Sequence, residues 1–501
     1  MTQNTFKPLT SAATRVFLIE GRARFDHKPS YQSCLKLTAV TKSFGDLTRI
    51  EVPNPNEYGK FDEVGEIRGA SSRATSSLVG YYSLDLKSTL LRLGAEGCAV
   101  DVQLHIGECK TPSQFTLFDK AMILENVFLS QYATGDLGAL ASGENSTVNE
   151  TADISAKEIY EVLPVSYGVK AGSIVTNEVV AGALCDSPSC GECSSESNGC
   201  KKLFYVTKNA GGSPSTPADL VYSLDGGITW VAYDISGMLA ASDPTGVACI
   251  GSYLVIISNA ENALFYTLLS GLNGISPVTF TKVTTGFVRG PNAIFGVSNK
   301  VFIVADFGYV YSSEDVTAGV TAIETGTATI SKLNDLWALS AEFAVAVGND
   351  GSVIYTLDGV SWNLAATSPV GIGTHLKSVY AKSETEWIVG TSGGKLFYTL
   401  NSGATWVEKS FPGSGSGSVL DISGANESVL WMSHQTSATK GRILRSYDRG
   451  YQWVVTPEGS GSIPLADKYN VLLTCSYDAN FISAGGLADD GSDGIIIVGG
   501  A

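Results

Sequence analysis

A short motif that ends in tryptophan recurs through the last two thirds of the chain, and this repeat constrains the fold more than any other feature. A pair of mostly apolar residues, such as Val-Tyr or Phe-Tyr, precedes each copy of the motif or its degenerate form. These pairs begin at residues 221, 265, 310, 354, 397 and 444, so consecutive copies lie 43 to 47 residues apart. Each unit has four short apolar runs separated by Gly, Asn, Asp and Ser; one unit reads NDLWALS, EFAVAVGND, SVIYTLDG and SWNLAA. Such runs predict antiparallel strands joined by tight turns.

Four strands in each period predict one blade of a β-propeller. A seventh unit follows near the end of the sequence, with the runs YNVLLTCS, NFISAGG and GIIIVGG, but it lacks a fourth run. A strand from residues 171–184 would supply that run and close the ring, which removes exposed sheet edges. We therefore expect seven blades, with six as the alternative.

Four copies of the motif resemble the Asp-box, or BNR, repeat, in which Ser or Thr is followed by Asp, Gly and Trp at fixed spacing. The copy at 399–406 has Asn in place of Asp, and the copy at 356–362 is one residue shorter than the others. The residues concerned are Ser223, Asp225, Gly227 and Trp230; Thr399, Asn401, Gly403 and Trp406; Ser446, Asp448, Gly450 and Trp453; and Thr356, Asp358, Gly359 and Trp362. A short carboxylate or amide can accept hydrogen bonds from its own turn, Gly can adopt positive φ, and Trp can bury a large ring. These residues therefore predict structural turns at the rim.

An enzymatic function is not expected. Sialidases also have Asp-box propellers, but they need three arginines from different blades together with a Tyr nucleophile and a Glu. From residue 171 onward the arginines are Arg289, Arg442, Arg445 and Arg449, and three of them fall in one unit. His27, His105, His375 and His434 show no metal or triad spacing. We expect no catalytic, cofactor-binding or metal-binding residues; a glycosidase with two carboxylates is the less favoured alternative.

Four of the nine cysteines cluster in the stretch CDSPSCGECSSESNGC: Cys185, Cys190, Cys193 and Cys200. Their spacing does not form a tidy pair of zinc knuckles, so we favour disulfides within this loop, with a zinc site as the alternative. The pairing cannot be deduced from sequence. The remaining cysteines, in or beside strand-like runs, are expected to be buried free thiols: Cys34, Cys98, Cys109, Cys249 and Cys475.

Residues 1–168 contain no copy of the repeat. They combine strand-like runs with one predicted helix over 81–97, where leucines follow helical spacing and Gly94 offers a stop. This pattern predicts an α+β domain. It resembles the major tail (tail tube) proteins of long-tailed bacteriophages in three features. The stretch TRIEVPNPNEYGKFDEVGEIRG looks like the extended loop that reaches a neighbouring subunit, the helix and the run CAVDVQLHIGEC follow, and the domain ends in an acidic, strand-rich segment.

That resemblance implies a structural virion protein, assembled in the host cytoplasm, whose hexameric rings stack into a tube that conducts DNA. Its partners would be further copies of itself, other tail proteins, DNA passing through the lumen and a host-surface glycan bound by an outward propeller. The net charge of −16 favours passage of DNA without adhesion. No apolar run is long enough to span a membrane, and no secretory signal is apparent.

The expected organisation is an assembly domain over 1–168, a Cys-rich hinge over 169–200 and a propeller over 201–501. The fold class is thus mainly β, with an α+β domain first. The alternative function is a non-enzymatic Asp-box adhesin or carbohydrate-binding protein, anchored by residues 1–168.

Overall fold

In the computed structural model, the chain divides into two compact units, residues 1–164 and 165–501. In the first unit the structure describes only the strands given below. In the second it describes residues 166–171, 174–186, 201–209, 218–239, 242–272, 278–297, 300–323, 331–425, 428–456, 463–475, 478–489, 491 and 493–500.

The described part of the first unit consists of β-strands. They are β1 (Thr14–Glu20), β2 (Ser30–Leu35), β3 (Leu37–Ser43), β4 (Leu47–Pro53), β5 (Phe61–Arg68), β6 (Ala74–Tyr81), β7 (Val100–Ile106), β8 (Lys120–Thr134), β9 (Asn149–Ala156) and β10 (Glu158–Val162). One antiparallel sheet has the order β2-β1-β7-β8-β9-β6-β3, with β10 also paired to β8, and β4 pairs with β5. The predicted helix begins inside β6, at Tyr81, and otherwise lies outside the described residues.

The second unit is built from short antiparallel strands. The first fourteen are β11 (Ser166–Ala171), β12 (Val179–Asp186), β13 (Lys201–Thr207), β14 (Asp219–Ser223), β15 (Val231–Asp234), β16 (Gly246–Ile250), β17 (Tyr253–Ser258), β18 (Ala263–Leu268), β19 (Thr281–Val283), β20 (Pro291–Val297), β21 (Lys300–Ala305), β22 (Val310–Ser313), β23 (Thr321–Ile323) and β24 (Leu333–Ala338). The others are β25 (Ala344–Gly348), β26 (Val353–Thr356), β27 (Trp362–Leu364), β28 (Leu376–Ala381), β29 (Trp387–Thr391), β30 (Leu396–Thr399), β31 (Val407–Lys409), β32 (Ser418–Gly424), β33 (Leu430–Ser437), β34 (Lys440–Ser446), β35 (Val454–Val455), β36 (Ala466–Cys475), β37 (Asp478–Ala488) and β38 (Gly494–Gly500). The described part of this unit also has 3₁₀ turns at Leu269–Gly271, Asp306–Gly308 and Asn349–Gly351.

The strands from β12 to β31 form consecutive four-stranded sheets, and the last strands join β11 in one eight-stranded sheet. We call β12, β16, β20, β24, β28, β32 and β36 the inner strands. Each inner strand contacts the next, and β36 contacts β12, so the series closes into a ring. A closed ring of radially arranged antiparallel sheets is a β-propeller.

The sheets pack on one another through both faces. Strands such as β21 and β25 are buried at every residue, because each is covered by the neighbouring sheet on either side. Apart from Lys300 at the start of β21, their sequences, KVFIVA and AVAVG, are therefore continuous small or apolar runs with little alternation. Between the first and last sheets the shared core contains Leu203 and Tyr205 with Phe481 and Ile496.

The closing strand differs from the one expected. β11 pairs with β38, from Ser166 opposite Gly500 to Ala171 opposite Ile495. The sequence pattern predicts this strand within 171–184 and a hinge that begins at 169. Val179–Asp186 is instead the inner strand of the next sheet. One strand cannot form both the outer edge of one sheet and the inner strand of another, so a separate segment, 166–171, provides the closure.

Candidate functional site

The inner strands surround a cavity of about 450 Å³, which is the candidate functional site. Most of these strands carry a β-bulge, in which one extra residue is inserted opposite the neighbouring strand. The extra residues are Val180, Asn292, Asn334, Lys377, Leu420 and Asn470. All of them line the cavity. The bulges therefore determine which side chains the ring directs at its centre.

Three of these bulge residues are asparagines that join neighbouring sheets. Asn334 donates a 2.7 Å hydrogen bond to the carbonyl of Leu376. Asn292 donates to the carbonyl of Leu333 at 3.0 Å, and Asn470 donates to that of Val179 at 2.7 Å. Each acceptor is the residue that precedes the bulge of the next inner strand. These amides therefore link each inner strand to the next beside its bulge.

Two aspartates lie one residue beyond the bulge, on β24 and β32. Asp335 accepts a 2.9 Å hydrogen bond from the backbone N–H of Val379, and Asp421 accepts one of 2.6 Å from that of Leu472. Burial raises the pKa of both carboxyl groups well above the ordinary value, and the charge of Asp421 raises that of Asp335 further. Raised carboxyl pKa values in a cavity mark a candidate binding or catalytic position.

Lys377 is the third charged residue that lines the cavity. Burial lowers the pKa of its ammonium group, and repulsion by Lys332 adds to that effect. Lys377 forms no hydrogen bond or ion pair with the residues that the structure describes. It is thus an amine held in a cavity without a fixed counter-ion.

Two aromatic side chains, Phe295 and Trp337, line the cavity, and Tyr380 packs behind Trp337. Phe295, Trp337 and Tyr380 occupy the third position after the bulge in three consecutive inner strands. The ring centroids of Phe295 and Trp337 are 4.9 Å apart, and those of Trp337 and Tyr380 are 4.8 Å apart. The equivalent positions on three other inner strands hold the smaller residues Ala183, Ser423 and Leu473. Aromatic rings on consecutive inner strands and aliphatic or polar residues on the others make the ring of inner strands asymmetric.

The residues predicted from the Asp-box motif lie elsewhere, in turns that follow the third strand of four different sheets. In the first turn Asp225 accepts 2.8 and 3.0 Å hydrogen bonds from the backbone N–H of Thr229, and Ser223 accepts one from Gly227 at 2.8 Å. Asn401 accepts the matching bond from Thr405 at 2.9 Å, and Asp448 accepts one from Gln452 at 2.7 Å.

The shorter turn uses the same chemistry: Asp358 accepts hydrogen bonds from the backbone N–H groups of Val360 and Ser361 at 2.8 and 2.6 Å. Gly227, Gly359, Gly403 and Gly450 all have positive φ. None of the sixteen predicted turn residues lines the cavity.

The tryptophans of these turns connect neighbouring sheets to different extents. Trp362 and Trp453 are buried, whereas Trp230 and Trp406 are half-buried. Trp362 lies edge-on to Phe302 of the preceding sheet, with centroids 6.1 Å apart. The indole N–H of Trp406 donates a 3.0 Å bond to the carbonyl of Thr367.

The carboxyl groups of these turns differ in the direction in which their pKa values are shifted. Burial acts to raise the pKa of Asp225, but hydrogen bonds from Thr229 outweigh it and the net shift is downward. Backbone N–H groups of Val360 and Ser361 lower the pKa of Asp358. For Asp448 burial dominates and raises the pKa to about 6.

The Cys-rich loop is only partly described. Cys185 forms a disulfide with Cys249, and their Cα atoms are 5.7 Å apart. The prediction that Cys185 pairs within the loop is therefore wrong, as is the prediction of a free thiol at Cys249. The reason is that β12 and β16 are neighbouring inner strands, which brings together residues 64 positions apart. Cys190, Cys193 and Cys200 lie outside the described residues, and Cys475 is buried as expected.

Within the described ranges there is no group of three or more His, Cys, Asp and Glu side chains that could hold a metal ion. The described residues also contain no helix of the length and hydropathy that a membrane span requires.

Comparisons with known proteins identify similar folds only. No family model matches the chain, and no curated protein matches it. A solved structure of YCF48 bound to a D1 peptide is 16% identical, with 66% of this chain and 94% of that chain covered and a TM-score of 0.47. YCF48 from Cyanidioschyzon merolae is 14% identical, with coverages of 66% and 98% and a TM-score of 0.47. The WD40 β-propeller domain of Doa1 is 10% identical, with coverages of 67% and 96% and a TM-score of 0.47.

Proposed function

We propose that this protein is a non-enzymatic assembly protein of the tail-tube kind, in which the first unit builds rings and the propeller decorates their exterior. The observation that carries the proposal is the hairpin of β4 and β5. These strands pair with each other from Leu47 opposite Arg68 to Pro53 opposite Phe61, and with no other described strand. A hairpin with two unpaired edges can add to the sheet of a neighbouring copy through backbone hydrogen bonds.

The sheet of the first unit offers matching edges. Within the described residues, β2 and β3 end the strand order and each has one pairing neighbour. Strand addition at these edges would join copies into a ring, and a ring that closes removes its own exposed edges. Such rings, stacked as in bacteriophage tails, would form a hexameric tube in the virion, assembled in the host cytoplasm with other tail proteins.

The lumen would conduct DNA without binding it tightly. The net charge of −16 disfavours adhesion of phosphates to the protein.

For the second unit we infer seven blades and an Asp-box identity. The eight-stranded sheet is joined between β34 and β36 by a single residue pair, Gly441 with Ala466. Divided there, it gives one blade of β32 to β35 and another of β36 to β38 completed by β11. The turns at Asp225, Asp358 and Asp448 support the Asp-box identity through their shared hydrogen bonds.

A second candidate is an adhesin that binds a surface ligand, such as a glycan, without self-assembly. The observation that favours it is the cavity, in which the half-buried rings of Phe295 and Trp337 lie beside polar side chains. Binding sites for small molecules combine apolar walls with a few convergent polar groups in this way.

Electron microscopy and sedimentation velocity of the full chain test the proposal. We expect rings or tubes for the wild type, and monomers when residues 47–68 are replaced by a short Gly-Ser linker. The double variant Glu51→Gln with Glu63→Gln, which neutralises a facing pair in the hairpin but keeps its backbone, serves as the control and should still assemble. A wild type that stays monomeric under all conditions, or assembly without the hairpin, would contradict the proposal and favour the adhesin.

A further inference from the structure

We propose that the central cavity of the propeller binds an organic cation, a quaternary or primary ammonium group, between the rings of Phe295 and Trp337 and the carboxyl groups of Asp335 and Asp421. This inference concerns the second unit alone and does not depend on whether the first unit forms tubes.

The carboxyl group and the indole of β24 lie on the same face of the strand. Asp335 and Trp337 are two residues apart, and side chains alternate between faces along a strand. Both residues line the cavity, and both are half-buried, so a ligand can reach them. A cation at this position meets a carboxyl group and an aromatic ring together, the combination by which proteins hold ammonium groups.

The aromatic wall is suited to a cation with methyl groups. Trp337 is in contact with rings on both sides, at 4.9 Å to Phe295 and 4.8 Å to Tyr380, so its orientation is fixed before a ligand binds. Its indole nitrogen has no hydrogen-bond acceptor among the described residues. Ring faces attract cations through their quadrupole, most strongly for tryptophan. The equivalent positions on β12, β32 and β36 hold the smaller side chains Ala183, Ser423 and Leu473.

The charges of the cavity favour a cation over an anion. Among the residues that the structure describes, three charged ones line it: Asp335 on β24, Asp421 on β32 and Lys377 on β28. Other inner strands present amides and apolar groups there, including Asn292 and Asn470. The two carboxyl groups are held in place by backbone N–H groups of the next strands, whereas the lysine has no described partner. The charged groups that are held in a fixed position in the cavity are therefore the two carboxyl groups.

The protonation of the aspartates couples binding to pH. Burial and their mutual repulsion raise the pKa of Asp335, so part of the population is protonated when the cavity is empty. A bound cation favours the ionised form and displaces that proton. Binding should therefore release protons near neutral pH and weaken as the pH falls.

Isothermal titration of the full-length protein with choline tests this inference, and 3,3-dimethylbutan-1-ol serves as the neutral probe of similar shape. We expect saturable binding of choline, no binding of the alcohol and a heat that depends on the ionisation enthalpy of the buffer. Asp335→Asn and Asp421→Asn keep an oxygen for the Val379 and Leu472 N–H groups, and each should weaken choline binding by about tenfold or more.

Two further variants make the result decisive. Glu342→Gln removes one exposed carboxylate outside the cavity and should leave choline binding unchanged. Lys377→Gln should tighten choline binding, because it removes a repelling charge from the cavity. Equal binding of choline and the alcohol, loss of binding only in Lys377→Gln, or no binding of choline to the folded wild type would each overturn the inference. These outcomes are independent of tube formation, which the electron microscopy of the hairpin variants tests separately.

Discussion

The hydroxyl of Tyr205 donates a 2.5 Å hydrogen bond to the hydroxyl of Ser483, 278 residues further along the chain. Tyr205 belongs to the second strand of the first sheet and Ser483 to the second strand of the last. Both residues are fully buried, and Ser483 in turn donates to the carbonyl of Ile497 at 2.8 Å. Together with the pairing of β11 and β38, this contact closes the ring.

Removal of that hydroxyl should destabilise the propeller. We expect Tyr205→Phe to lower the free energy of unfolding by about 1 kcal/mol, because a buried acceptor loses its donor while the ring packing remains. Tyr266→Phe is the matched control, since the hydroxyl of Tyr266 makes no hydrogen bond to the described residues; it should be close to neutral. Denaturant unfolding followed by tryptophan fluorescence measures both, and equal effects would show that the closing bond contributes nothing specific.

The disulfide between Cys185 and Cys249 should stabilise the first two sheets. It links strands that are 64 residues apart, and a closed loop of this size typically contributes about 2–4 kcal/mol. We expect reductant to lower the midpoint of thermal unfolding in the wild type and to have little effect on a Cys185→Ser, Cys249→Ser double variant. Non-reducing peptide mapping should find the two peptides joined. An equal response of wild type and variant to reductant would assign the effect to other cysteines.

The bulge asparagines should contribute to cohesion between sheets. Asn334→Ala leaves the buried carbonyl of Leu376 without this donor, so we expect a loss of about 1–3 kcal/mol in the free energy of unfolding. Asn363 lies exposed on β27, and Asn363→Ala provides the control for a general effect of the substitution. Denaturant titration of both variants decides the point, and indistinguishable midpoints would exclude an inter-sheet role for Asn334.

Asp448 should make the free energy of unfolding depend on pH in the direction opposite to that of Asp225 and Asp358. Its pKa is raised from 3.8 to about 6 by burial, so the folded state holds a proton that the unfolded chain has released between these values. Stability should therefore fall as the pH rises from about 4 to about 6, by on the order of 2–3 kcal/mol.

Asp448→Asn should remove that slope, because an amide keeps the acceptor oxygen without the charge, as Asn401 does in the equivalent turn. Asp358→Asn is the comparison. The pKa of Asp358 is lowered, so its carboxylate stabilises the fold above the unfolded pKa and loses that effect as the pH falls through the folded value. Unfolding midpoints from pH 3 to 8 measure both, and an unchanged slope in Asp448→Asn would contradict the assignment.

Part of the candidate site can be recognised in the sequence when the repeats are aligned with one another. The first runs of three units contain polar residues within apolar stretches: Asn334 and Asp335 in LNDLWA, Asp421 in SVLDISG and Asn470 in ADKYNVLLTC. A polar residue at an equivalent place in several buried strands calls for a partner. The repeats alone do not say that these residues surround a common cavity.

The sequence by itself determined what depends on neighbours along the chain. The repeat period, the four runs per unit and the turn at Asp225 follow from residues within a few positions of one another, since the carboxylate of Asp225 accepts from Thr229 only four residues away. The tertiary structure alone decided which segment closes the ring, that Cys185 pairs with Cys249, and that Asp335, Asp421 and Trp337 face one cavity. These relationships join residues tens or hundreds of positions apart. The distances between these residues are set by closure of the ring, and no local sequence pattern predicts which strands meet when the ring closes.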